Sequence, residues 1–408
     1  MAIVFNPSRG ATLGVEWELQ LVDAATRHLR QDAREVLAAL RSPGAQPPGT
    51  PTPSASSPGA LPPGAAGQAA KLHHELMEST VEVVTDVCQT VAEAQRDLAA
   101  TVDALRAAVE PRGLTLACTG THPISDWRDA ETSPTQRYSD LVERMQWLAR
   151  RIQTFGVHVH VGVTDRAKVI PIVNALAGYL PHFLALTASS PFWSGDDTGL
   201  ASTRAVVFGQ LPTAGPPHLL DDWTAFEDYM DTLLRAGTIR SIKEVWWDIR
   251  PHPDFGTVEI RMFDGIPTLR EVGMATALCQ SLVTLFDQQL DRGYTLPRPA
   301  AWVVRDNKWR ATRYGLDALV ITDDSGHTAP LRDEVYELVA ELEPVAARLG
   351  CADELKIAGE VLEHGAPYER QRAIRAGGGT LEDVVDAAVL ELAEDRFVTR
   401  GEVARAGN

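Results

Sequence analysis

The sequence predicts an α+β protein, a mixed or antiparallel sheet backed by helices. Two observations point there. Strand-like and helix-like stretches do not alternate as regular βαβ units. Several strands read as one-sided, polar on one face and apolar on the other, the pattern of an antiparallel sheet covered on a single face. The 408 residues, 44 % hydrophobic and 23 % charged, suffice for a large core. No internal repeat and no linker between two cores is visible, so a single domain over residues 1–408 is expected.

The elements follow in order. "TLGVEWELQLVD" (12–23) alternates as a strand. Residues 41–70 hold eight prolines and five glycines, with no aromatic residue. Such a segment buries too little apolar surface to offset the entropy of ordering it, so a disordered insert is expected. "HHELMESTVEVVTDV" (73–87) has the β-branched content of a strand in its second half. The next stretch is a helix: Thr90 and Glu93 make a capping box, and Val91, Leu98, Val102, Leu105 and Val109 form one stripe. Pro111 and Gly113 stop it. "LTLACTGTHP" (114–123) reads as a buried strand running into a loop. "RYSDLVERMQWLARRIQ" (137–153) reads as a helix through Leu141, Met145, Leu148 and Ile152. "GVHVHVGVT" and "FGTVEIRMFD" are strands by strict alternation. "LRDEVYELVAELEPVAARLG" and "TLEDVVDAAVLELAED" are helices, the second capped by Thr380. The glycine-rich "RAGGGT" (375–380) reads as a turn.

Bulk properties exclude some functions. The net charge of −17 argues against a nucleic-acid partner held by clustered Lys and Arg. Cys88, Cys118, Cys279 and Cys351 form no C-x-x-C pair, which suits reduced thiols in a cytosolic protein. "MAIVFNPSRG" has no basic and no long apolar region of a signal peptide. The apolar stretch 169–188 is interrupted by Pro171, Asn174, Pro181 and His182, so a buried helix pair is expected rather than a membrane span. No G-x-x-x-x-G-K-[ST], G-x-S-x-G or H-E-x-x-H motif occurs.

The chemistry lies in three strands. Residues two apart on a strand share a face. Glu16 and Glu18 share one, as do His158 and His160, and Glu259 and Arg261. The opposite faces carry Val15, Trp17 and Leu19; Val157, Val159 and Val161; Val258, Ile260 and Met262. "ELMESTVEV" adds Glu75, Glu78 and Glu82. Singly, an E-x-E strand is ordinarily a solvated face, an H-x-H strand is as often structural, and an E-x-R pair is ordinarily a cross-strand ion pair. Together, in one sheet, they make a floor of carboxylates, imidazoles and a guanidinium. Such a cluster is tolerable when divalent cations neutralise it. Oxygen ligands with a minority of histidine suit Mg²⁺ or Mn²⁺ better than a structural zinc.

In this order, "TLGVEWELQLVD", "HELMESTVEVVTDV", "GVHVHVGV", "TVEIRMFD", "RATRYGLDA" and "ERQRAI" resemble the type 2 glutamate–cysteine ligase family. The nearest branch is the bacterial carboxylate–amine ligases of the YbdK type, and the resemblance spans about residues 10–390. It implies a glutamine-synthetase/guanido-kinase-like fold, a curved, largely antiparallel sheet with helices on its outer face. The concave face would hold ATP, Mg²⁺ and an amino acid. The implied reaction is ATP-dependent amide formation through an acyl phosphate. Carried over by motif, Glu16, Glu18, Glu75, Glu82, His158 and Glu259 resemble the metal ligands, and His160 the residue beside the nucleotide. Arg261 resembles the phosphate-binding arginine, with Glu82 and Glu259 joining it in the catalytic set. Arg204 and Arg313 are candidates for the substrate carboxylate, since a bidentate guanidinium suits that task.

The chain departs from the family pattern at Trp17, where the family has a further acid, and in the 41–70 insert. Glu75 and Glu82 are seven residues apart, so a break near Ser79 is required for both to face the floor. The implied partners are small amino-acid or amine substrates, and the resemblance suggests a homodimer. Three readings compete: a ligase of secondary metabolism with another acid or amine, a phosphotransferase on the same floor, and a non-catalytic nucleotide- or metal-binding protein.

Overall fold

A computed structural model describes residues 2–41, 65–399 and 401–403. Its main sheet has seven strands: β1 (Leu13–Asp23), β2 (Leu72–His74), β3 (Thr80–Val84), β4 (Leu114–Ala117), β5 (Gly156–Gly162), β6 (Ile249–His252) and β7 (Thr257–Asp264). The order is β2-β3-β1-β5-β7-β6, with β4 joining the end of β1, and every pairing is antiparallel.

The alternation read from the sequence decides which face is covered. Val15, Trp17, Leu19, Val157, Val159, Val161, Val258 and Ile260 are all buried in one hydrophobic cluster. The helices include α1 (Ala33–Arg41), α2 (Val91–Val109), α3 (Gln136–Met145), α4 (Trp147–Arg150), α5 (Arg166–Leu176), α6 (Leu180–Thr187), α7 (Thr203–Phe208), α8 (Leu269–Asp291), α9 (Ala301–Tyr314), α10 (Leu331–Leu349), α11 (Ala352–His364), α12 (Pro367–Ala376) and α13 (Leu381–Glu394). Long α8 packs on β5 and against α2, α10 and α11, while α6 packs on β7. Trp17 sits at the centre, fully buried, and its indole N–H donates to Ile266 O at 3.0 Å. Truncating such a side chain costs about 3–5 kcal/mol. The acid expected at position 17 by family pattern would therefore have met core, not the polar floor.

Local expectations hold in most places. The stripe of α2 is buried, and Thr90 Oγ1 accepts from Glu93 N at 3.2 Å. The carboxylate of Glu93 reaches Gln89 N instead of Thr90 N. Thr380 and Asp383 make a reciprocal capping box on α13, after the turn at 375–380. The apolar stretch becomes α5 and α6; Arg166–Thr187 is long and apolar enough to cross a membrane, and 83 % of its apolar window is buried inside the protein.

Two expectations need correction. The 137–153 segment is not one helix. It breaks at Gln146, which takes φ 49°, a left-handed conformation that a non-glycine residue rarely adopts. Its stripe is only half-buried, because this segment borders an open cavity rather than the core. The end of the expected disordered insert is also ordered: Ala65–Gln68 is helical, and Gln68 accepts a hydrogen bond from Thr101 on α2. Residues 42–64 of that segment lie outside the described residues.

Candidate active site

Register turns the polar pairs into a continuous row. Glu82 on β3 faces Glu18 on β1; Glu16 on β1 faces His158 on β5. His160 on β5 faces Glu259 on β7, which faces Arg250 on β6. Directly opposed residues share a face. Between β5 and β7 a bulge sets Arg261 and Met262 against His158. The extra residue keeps Arg261 on the polar side and returns Phe263 to the core. The break at 75–79 between β2 and β3 brings Glu75 round to the same face, as its spacing from Glu82 requires.

Above this floor lies a cavity of about 600 Å³. Glu16, Glu18, Glu75, Glu82, His158, Arg204, Glu259 and Arg261 all line it, together with residues of α3 and of the 240–246 loop. His160 lies just beneath the lining, 3.3 Å from Glu16 and 3.0 Å from Thr257 Oγ1. Two sequence candidates do not join them. Arg313 is exposed on α9, over the ring of Tyr314, because the helix turns its inner face to α6 and leaves position 313 in solvent. Glu78 is buried away from the cavity, where its carboxylate accepts from Arg34 N at the start of α1.

The electrostatics divide the floor in two. At the β5–β7 end the carboxylates are well paired. Burial alone would raise the pKa of Glu259, but Arg250 and Arg261 outweigh it and hold the carboxyl well below its usual range. Arg250 Nε lies 2.7 Å from Glu259, and Arg261 pairs with the same carboxylate. Glu16 is likewise desolvated, yet His158 at 2.7 Å and His160 hold its pKa well down. At the β3 end the balance reverses. Burial, then the Glu75 charge, push Glu18 up to about 8. Burial and the neighbouring Glu75, Glu16 and Glu18 push Glu82 well above its usual value. Burial also raises Glu75. Three acids there lack enough positive charge.

That shortage fits a cation. Glu18, Glu75 and Glu82 can place one ligand oxygen each within 4.8 Å of one another; so can Glu16, Glu82 and His158, and Glu16, His160 and Glu259. Glu82 and Glu16 are each shared between two groupings, which therefore form a chain across the floor. Burial, then Arg261, lower His158 to about 4, so it offers a neutral imidazole, the ligating form. Carboxylates with one such histidine suit Mg²⁺ or Mn²⁺.

Several residues escaped the sequence reading. Arg250 and His252 share a strand face two residues apart, the same signal used for the other pairs, but Pro251 between them reads against a strand. Arg137 and Arg144 on α3, with Arg240 and Lys243 opposite, form a cationic rim over the acidic floor. Arg144–Glu244 and Arg240–Asp140 ion pairs tie the two sides together. No local pattern announces residues that converge from segments a hundred positions apart.

A profile of glutamate–cysteine ligase family 2 matches residues 12–387. A Thermobifida fusca protein provisionally named glutamate–cysteine ligase 2 is 68 % identical over 391 residues, 96 % of this chain and 93 % of that one. A Frankia alni relative, provisionally named glutamate–cysteine ligase 2-1, is 52 % identical over 98 % of this chain and all of its own length. Among solved structures, the glutamate–cysteine ligase of Francisella tularensis in complex with AMP is similar with a TM-score of 0.65 at 12 % identity, covering 99 % of this chain and 95 % of that one, a likeness of fold. The seven-stranded floor and the match over almost the whole chain lead to one conclusion: the chain belongs to glutamate–cysteine ligase family 2, and its reaction class is that of an ATP-dependent carboxylate–amine ligase.

Proposed function

We propose that the protein forms a γ-glutamyl amide, with glutamate as the acid and cysteine or another small amine as the acceptor. The observation that carries this reading is the surplus of buried carboxylate at Glu18, Glu75 and Glu82 beneath a rim of arginines. The cations of a triphosphate would supply the positive charge that the floor lacks, and its phosphates would meet the arginines of the rim. Mg²⁺ bound on the floor would screen the phosphate oxygens and polarise the transferred phosphoryl group.

The residues of the chain divide the remaining work. Arg261, held by Glu259 and backed by Arg250, directs a guanidinium at the phosphoryl oxygens, where negative charge spreads as the group moves. Glu16, Glu18, Glu75, Glu82, His158 and Glu259 would hold the cations, and His160 fixes Glu16 from beneath. Arg204 reads the substrate's own carboxylate. The acid's γ-carboxylate oxygen attacks the γ-phosphorus, and ADP leaves. The amine nitrogen then attacks the acyl carbon, loses a proton, and expels phosphate carrying one oxygen of the original carboxylate.

The test uses carboxylate-¹⁸O glutamate with ATP and a panel of amines. Amide, ADP and singly labelled inorganic phosphate are expected. AMP and pyrophosphate, with no label in phosphate, would show adenylation and overturn the acyl-phosphate route. ADP formation without any amide would make the protein a phosphotransferase.

A further inference from the structure

Asp264, at the end of β7, is fully buried, and none of the steps above uses it. It pairs across the sheet with Gly156, so it lies on the polar side, beyond the bulge. Two glycines make room there. A Cβ at Gly120 would stand 2.6 Å from the Asp264 carboxylate, and a Cβ at Gly156 would stand 2.2 Å from the Arg204 guanidinium.

The carboxylate has three neutral donors. Ser189 N at 2.9 Å and Ser190 Oγ at 2.6 Å share one oxygen, and Ser202 Oγ at 2.7 Å takes the other. Each serine has a single hydroxyl proton, and both protons are committed to Asp264. Their lone pairs are thereby turned toward α7. Ser190 Oγ accepts from Arg204 N and Ser202 Oγ from Ala205 N, both at 3.1 Å. α7 has only six residues, too few to be stable without such anchors. Its second residue is Arg204, whose side chain crosses Gly156, donates to Arg261 O at 3.3 Å and opens into the cavity with Nε unpartnered. The same loop is held from behind by the "ERQR" stretch of α12. Gln371 donates to Ser189 O at 2.8 Å, and Arg372 binds Asp197 at 2.8 and 2.9 Å.

We propose that Asp264 is a positioning residue for substrate recognition: through Ser190 and Ser202 it orients the first turn of α7 and aims Arg204 at the carboxylate of the acid. This rests on the reading of Arg204 as the residue that binds that carboxylate. Asp264→Asn keeps size and shape but replaces one acceptor oxygen by a donor, so one serine hydroxyl loses the acceptor for its proton, must turn, and no longer holds the first turn of α7 in the same orientation.

The experiment is steady-state kinetics with L-glutamate, ATP and cysteine on wild type, D264N, R204K and the double variant. D264N should raise the KM for glutamate about tenfold, the size of one lost hydrogen bond, with the KM for ATP nearly unchanged. R204K should raise the same constant, and the double variant should fall short of the product of the two effects, since both act through one guanidinium. If R204K raises the glutamate KM while D264N only lowers the melting temperature, the proposal fails and the reading of Arg204 stands. If R204K leaves the glutamate KM unchanged, both fail. Ser190→Ala and Ser202→Ala, which remove the relays singly, carry the same comparison should D264N not fold.

Discussion

Among the described residues, two buried clusters of glutamate and arginine behave in opposite ways. One is the floor of the cavity. The other joins α8, α12 and α13: Arg370 lies between Glu271, at 3.0 Å, and Glu391, at 2.7 Å. Arg370 also donates to Gly365 O, and its guanidinium lies 4.4 Å over the ring of Phe397. Thr268 caps the Glu271 carboxylate. There the donors and acceptors are consumed within the chain. Among the described residues the floor has no such closure at its β3 end, where Glu18, Glu75 and Glu82 face one another and the cavity. Burial of charge is therefore no indicator of function by itself. A cluster that is satisfied internally is structural, and one left with surplus charge beside open space awaits a ligand.

The largest expected contrast is catalytic. Glu16→Gln removes a carboxylate shared by two of the cation groupings, and kcat should fall by roughly 10²–10³-fold, the scale of losing one preorganised charge at a reacting centre. ADP release measures this, with circular dichroism to confirm the fold. Turnover equal to wild type would remove Glu16 from the site.

Arg370→Leu should show the other cluster's character. It leaves two buried carboxylates facing each other, so about 3–5 kcal/mol of stability should be lost in urea denaturation. Mg²⁺ should not restore it. A variant as stable as wild type would mean that the triad does not hold α8, α12 and α13 together.

The third contrast is the response to pH and metal. The raised pKa of Glu18, about 8 against its ordinary value of 4.5, means that the folded, metal-free protein holds a proton that the unfolded chain has released between these values. Desolvated histidines act oppositely below their ordinary value of 6.5, since His122 is held at about 3 and His158, His182 and His252 at about 4, so metal-free stability should fall with rising pH between about 6.5 and 8. Glu75 and Glu82, also raised, act in the same direction. Saturating Mg²⁺ should flatten the slope and add about 2–3 kcal/mol at a hundredfold excess over its Kd. Thermal melting across pH, with and without Mg²⁺, reads both. Metal-free stability that rises with pH between about 6.5 and 8 would contradict the surplus-charge account.

The smallest effect is expected far from either cluster. Replacing residues 43–64 by a short Gly/Ser linker should change stability by less than about 1 kcal/mol, because closure entropy varies slowly with loop length. Ala65–Gln68 must stay, since Gln68 bonds Thr101. A large loss of turnover in the shortened chain would place that segment at the site or on a partner.

What the sequence made legible follows from period. Two-residue alternation on β1, β5 and β7 places Glu16, Glu18, His158, His160, Glu259 and Arg261 on one face with their backing residues opposite, and the register then aligns them. The break after Glu75 was readable as a geometric necessity. Arg250 was hidden by Pro251, and the rim by convergence of distant segments. Arg313 and Arg204 look alike in sequence; only the packing of α9 and the gap over Gly156 separate a solvent arginine from one in the cavity. The closed triad was invisible for the same reason, since "ERQR" contains Arg370 but neither Glu271 nor Glu391.

The row of residues across β3, β1, β5, β7 and β6 has a genetic consequence. Because neighbouring codons in these strands alternate between core and floor, the strands behave like a second reading frame laid over the first. Deleting or inserting one codon beyond Leu13 would swap Trp17 with a glutamate and expose the core face to the cavity. Substitution can tune this surface one residue at a time. Changes of length can accumulate only where no alternation is being read, in the loops that hang from the sheet and not in the strands that compose it.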